Sequence, residues 1–142
     1  MLDYRLSATV SDQVWSSASA HAALPKQDED FFAEYGATSV AVDTRRQYRR
    51  MRVRGRAIVS RGSEQYGVFT NDVSPMGIGF FSPVQFLPKE RIELIIEECE
   101  LLQVVIRRCI RKDQQCYFCG GNFLNGPMPP GAYHKFLDEL RV

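Results

Sequence analysis

The sequence predicts an all-β protein: a six-stranded antiparallel barrel with a C-terminal α-helix, preceded by an acidic tail that holds a short helix. Three observations predict it. From Met51 onward the apolar residues recur with a period of two, the pattern of half-buried strands. Short turns containing Gly, Pro and Asp separate most of these segments and leave no space for crossover helices, which favours antiparallel pairing. Finally, "AYHKFLDELRV" places Tyr133, Phe136, Leu137 and Leu140 at i, i+3, i+4 and i+7, one apolar face of a helix that packs on the barrel.

The elements follow in order. Residues 1–43 form the acidic tail, and the Ser- and Ala-rich residues 1–27 show no sustained period beyond a weak helix around "SDQVWSSASAHAAL". Trp15 there is either an anchor onto a partner or an incidental aromatic. A short helix is expected over residues 28–36, with Pro and acids at its start and Gly36 at its end. Its Phe31, Phe32 and Tyr35 make an apolar face expected to dock on the barrel rather than on a partner. Residues 44–125 hold the six strands, "MRVRGRAIVS", "YGVFTN", "GIGFFS", "RIELIIEE", "LLQVVIRRCIRK" and "QCYFCGGNFLN". Residues 126–142 supply the closing helix.

Composition narrows the function. At 142 residues, 44% hydrophobic and 25% charged, the chain is one ordinary globular domain. It has no apolar run of about 18 residues, so no membrane insertion is expected. The N-terminus lacks the basic start and apolar core of an export signal, so a cytoplasmic location is expected. The four cysteines are then expected to be reduced thiols. Cys116 and Cys119 form a CxxC, but on a strand, positions three apart point to opposite faces, so packing is expected and no metal site. Neither His21 nor His134 sits in a context that pairs it with a nucleophile, so no catalytic residues and no enzyme activity are expected.

Charge is uneven. Residues 1–44 carry seven acids and two bases, net −5, whereas residues 45–142 carry sixteen bases and ten acids, net +6. The change falls at "DTRRQYRRMRVRGRAIVSR", where eight arginines and no lysine lie between Arg45 and Arg61. Arg52, Arg54 and Arg56 alternate along a strand and share one face, read as a solvated outer face. Some twenty residues later "NDVSPMGIGF" holds Asp72, Ser74 and Gly77 as D-x-S-x-x-G. By itself that is a turn signal, because Asp and Ser bond nearby backbone groups and Gly permits tight geometry.

Together, the two stretches resemble the PilZ domain, a family of bacterial receptors for cyclic di-GMP. Arg46 and Arg50 match its RxxxR signature with Tyr48 at the usual aromatic position, while Arg45 and Arg49 form a second frame that misplaces the aromatic. The D-x-S-x-x-G signature is met in full, and the resemblance covers roughly residues 44–125. It implies a PilZ-type barrel that binds cyclic di-GMP through Arg45, Arg46, Arg50, Asp72, Ser74 and Gly77, with no other cofactor. In proteins of this kind an arginine just before RxxxR, here Arg45, goes with an intercalated ligand dimer. The chemistry suits such a ligand: a guanidinium can fork onto guanine O6 and N7, bond phosphate oxygens or stack on a purine. Asp72 can accept from guanine N–H groups or hold an arginine; Ser74 offers a hydroxyl, and Gly77 leaves room for the ligand. The expected function is a receptor whose arginine lead-in orders on binding and signals to a protein effector. The alternatives are a PilZ-type adaptor that binds no nucleotide, and a nucleic-acid-binding small barrel. Nucleic acid is not an expected partner, because no aromatic stacking platform is evident on exposed strands.

Overall fold

The computed structural model describes residues 11–24, 28–34, 38–39, 49–96 and 101–140. Six strands form the barrel: β4 (Arg56–Arg61), β5 (Glu64–Val73), β6 (Gly77–Ser82), β7 (Arg91–Ile95), β8 (Leu101–Asp113) and β9 (Cys116–Phe123). Around the ring the order is β5, β4, β7, β8, β9, β6, and β6 returns to β5, every pairing being antiparallel. Closure leaves no free edge in this ring, as six consecutive half-buried strands require.

The alternation seen in the sequence fills the interior. Ile92 and Leu94 of β7, Leu102, Val104 and Ile106 of β8, and Val59, Val68 and Phe80 across the ring are all buried. One end is covered by the C-terminal helix, labelled α3 (Pro130–Leu140), whose Tyr133, Phe136 and Leu137 join the core. Pro130 at its first position suits a helix start, where the missing N–H costs nothing. The Tyr133 hydroxyl donates to the Val73 carbonyl at 3.3 Å.

The segment before the barrel is built into it. The first helix, α1 (Asp12–Ser16), is capped by the Ser11 hydroxyl, which accepts from the Val14 amide at 3.3 Å. The strand β1 (Ala20–His21) then runs parallel to β5 at Tyr66 and Gly67. Beyond it the Ala22 amide donates to the Gly67 carbonyl and the Ala23 amide to the Gln115 carbonyl, so the segment spans from β5 to the β8–β9 turn. Next comes α2 (Asp28–Phe31), continued by a 3₁₀ turn over Phe32–Glu34. Its Phe31 and Phe32 are buried against Phe69 and Phe81, so the expected docking on the barrel holds for these two; Tyr35 lies outside the described residues. Residues 11–24, read from the sequence as part of a tail, are therefore attached to the sheet. Trp15 is the anchor, and what it anchors on is the chain's own Phe69 and His21, at 5.0 and 4.7 Å.

The first predicted strand divides in two. Its start, β3 (Met51–Arg52), pairs with β2 (Thr38–Ser39) and with Asp72 and Val73 of β5. Val53–Gly55 then bend, their backbone groups satisfied by Thr70 and Asn71, before β4 begins. This bend corrects the expectation of a solvated arginine face. Arg54 is 7% exposed; its Nε donates to Asn71 Oδ1 at 3.1 Å, and its guanidinium lies 4.6 Å from the centre of the Phe31 ring. Arg56 pairs with Asp12 at 3.2 Å and lies over Trp15 at 5.1 Å. The N-terminal segment covers these arginines, something strand periodicity alone does not encode. Among the described residues no helix is long and apolar enough to cross a membrane.

Candidate ligand site on the outer barrel wall

Asp72 sits where the β5–β6 register slips between Thr70 and Asp72, leaving Asn71 unpaired across β6. A bulge of this kind re-aims the side chains beside it. The result is a shared carboxylate: Arg50 donates from Nη2 to Asp72 Oδ1, and Asn71 donates from Nδ2 to Oδ2 at 2.7 Å. Asp72 itself is only 5% exposed. A buried carboxylate needs such partners, because an unpaired charge there is costly. Of the two roles expected for Asp72, this geometry displays the holding of an arginine.

Ser74 and Gly77 complete the turn into β6. The Ser74 hydroxyl oxygen accepts from the Met76 amide at 3.1 Å and the Gly77 amide at 3.4 Å, and the Ser74 amide donates to the Gly77 carbonyl. The serine thus builds the turn with its lone pairs, while its own proton stays available to an acceptor. At Gly77 a Cβ would fall 2.0 Å from the Gly121 carbonyl oxygen. The glycine is therefore demanded by the close approach of β6 to β9, a reason separate from room for a ligand.

Arg50, Asp72, Ser74 and Gly77 line one side of an open cavity of about 410 Å³. Such a volume falls in the range of small-molecule sites. Arg49 is exposed and does not line it, so of the two RxxxR frames it is Arg50's that reaches the cavity. Arg45, Arg46 and Tyr48 lie outside the described residues. The far side of the cavity was not foreseen: Arg107 and Arg108 of β8 and Phe118 and Asn122 of β9. One signal was present in "VVIRRCIRK", where two successive arginines break the alternation of β8.

The thiols stand apart from this cavity. Cys116 and Cys119 are both buried, and the Cys119 sulfur faces the cross-strand Cys109, at 3.0 Å. Burial, together with the hydrogen bond to Cys109, pushes the Cys119 thiol well above its ordinary range. Among the described residues no group of three or more His, Cys, Asp or Glu side chains could hold a metal ion.

A closed six-stranded antiparallel barrel, capped by a C-terminal helix and carrying D-x-S-x-x-G at a cavity on its outer wall, defines the class of small PilZ-type barrels. The chain belongs to the PilZ domain family, whose match covers residues 44–130, more than half of the sequence. PilZ domains are receptor and adaptor domains. The fold is also that of the Bacillus subtilis inhibitor of motility MotI/DgrA, with a TM-score of 0.52 at 18% identity. That likeness covers 69% of this chain and 50% of the other, so this chain spans about half the neighbour's length. No curated protein matches the sequence.

Proposed function

We propose that this protein is a cyclic di-GMP receptor that passes the signal to a protein effector. The observation that carries the reading is the Arg50–Asp72 pair beside Ser74 and Gly77 along one side of the cavity, which joins the second arginine of RxxxR to the D-x-S-x-x-G turn. In the free protein Asp72 holds Arg50 ready. On binding, Arg46 and Arg50 fork onto guanine edges and phosphate oxygens, Arg45 stacks or bonds alongside, and Ser74 donates to a phosphate or base edge. Arg45 ahead of RxxxR supports an intercalated pair of ligands per chain. The lead-in containing these arginines joins β2 to β3, so its rearrangement acts directly on the segment that precedes it. Output goes through protein contact at the surface reshaped in this way.

Calorimetric titration of Arg46→Ala, Arg50→Ala and Asp72→Ala tests the assignment. Each loss of a bidentate contact is worth about 1–3 kcal/mol, so affinity should fall by a factor between about 5 and about 150. Affinity near that of the unaltered chain in all three variants would sink it.

A further inference from the structure

Opposite the signature residues the cavity has a second basic wall. The β8–β9 register slips between Ile106 and Arg108, so Arg107 has no partner across β9. A strand without a bulge would send one of two successive side chains inward; here both arginines line the same outer cavity. Both are exposed, and among the described residues no ion pair to either is found. Arg108 lies opposite Gly120, and both line the cavity, with the Arg108 Cγ 4.0 Å from where a Cβ on Gly120 would stand. Phe118, two positions before Gly120, gives the cavity an apolar rim and packs on Phe81 at 5.1 Å.

We propose that Arg107 and Arg108 are ligand-binding residues that take the phosphate and purine of the bound cyclic dinucleotide farthest from Arg50. This rests on the function proposed above. The signature residues approach a ligand with two phosphates and two purines from one side of the cavity, so the phosphate and purine turned to the other side need partners of their own. The second wall supplies the same guanidinium chemistry from the other side, where phosphate bonding and stacking are both open to it.

The test is calorimetric titration with cyclic di-GMP of the Arg107→Ala/Arg108→Ala double variant. Because both side chains are exposed, its melting temperature should stay that of the unaltered chain, and its affinity should fall at least tenfold. The Arg107→Lys/Arg108→Lys variant, which keeps charge without the planar fork, should fall between the two and guards against any disturbance caused by truncation. Binding by the unaltered chain with equal affinity in both variants would overturn this inference alone. No binding by the unaltered chain would overturn the receptor reading and this inference with it.

A separate observation carries a second inference. Arg50 donates to Asp72, Asn71 donates to the other oxygen of Asp72, Arg54 donates to Asn71, and Arg54 Nη1 donates to the Phe31 carbonyl of α2 at 3.4 Å. The geometry points to Asn71 and Arg54 as positioning residues that couple the Arg50–Asp72 pair to the docking of the N-terminal segment. A ligand that draws Arg50 from Asp72 removes one end of this relay and loosens the hold on α2. Trp15 is the sole tryptophan and packs in the same aromatic cluster, so its fluorescence reports that docking. Saturation with cyclic di-GMP should change the Trp15 emission of the unaltered chain. In Asn71→Ala the change should shrink severalfold while calorimetry still shows binding. An unchanged Trp15 signal at calorimetric saturation, or an equal change in Asn71→Ala, would overturn the relay.

Discussion

The two oxygens of Asp72 are divided between Arg50 and Asn71, and Asn71 in turn accepts from Arg54. Residues joined in this way do not lose stability independently. Arg54 is buried against Phe31, so Arg54→Ala removes a charged hydrogen bond and a guanidinium stacked on an aromatic ring together. We expect a loss of about 1–3 kcal/mol in urea unfolding. Arg56→Ala, whose partner Asp12 is exposed, should lose less than about 1 kcal/mol in the same measurement. The signature residues Asp72, Ser74 and Gly77 were legible because their spacing is fixed by a local turn. The buried state of Arg54 was not, because its cover comes from Phe31, 23 positions earlier.

At the scale of elements, the segment containing α1, β1 and α2 behaves as part of the barrel's outer layer. It closes over β5 beside β6, and Gly67 admits it: a Cβ there would fall 2.4 Å from the His21 ring. Phe31 is 1% exposed, and Phe31→Ala should cost about 3–5 kcal/mol by thermal or urea unfolding. A loss under about 1 kcal/mol would show that this layer is detached in solution. The barrel strands announced themselves through alternation, but β1 has only two residues and lies in a Ser- and Ala-rich stretch without period. Its place is set by backbone bonds to Gly67 and Gln115, which leave no mark in side-chain pattern. The same holds for the β8 bulge, where the arginine pair is visible in sequence but its meaning depends on the register with β9.

Across the whole molecule, the helix-capped end ties α3 to the ring through Tyr133. Burial raises its hydroxyl from the ordinary 10.0 to about 12. A folded-state value above the unfolded one makes this contribution fully present below pH 10 and lost as pH rises towards 12. Tyr133→Phe should flatten the fall in stability over that window, as read by unfolding at a series of pH values. An equal fall in both proteins would place the alkaline sensitivity elsewhere. The closed ring and its cap were readable from period and turn spacing; the non-sequential neighbours, β4 beside β7 and β6 beside β9, are set by closure and not by local pattern.

Arg50, the D-x-S-x-x-G turn and the second basic wall line one cavity, so the central claim is that this cavity takes a cyclic dinucleotide. The most direct measurement is calorimetric titration of the intact chain with cyclic di-GMP. The account predicts saturable binding at physiological salt, with two ligands per chain at saturation. Absence of heat and of any Trp15 response across the titration would contradict it.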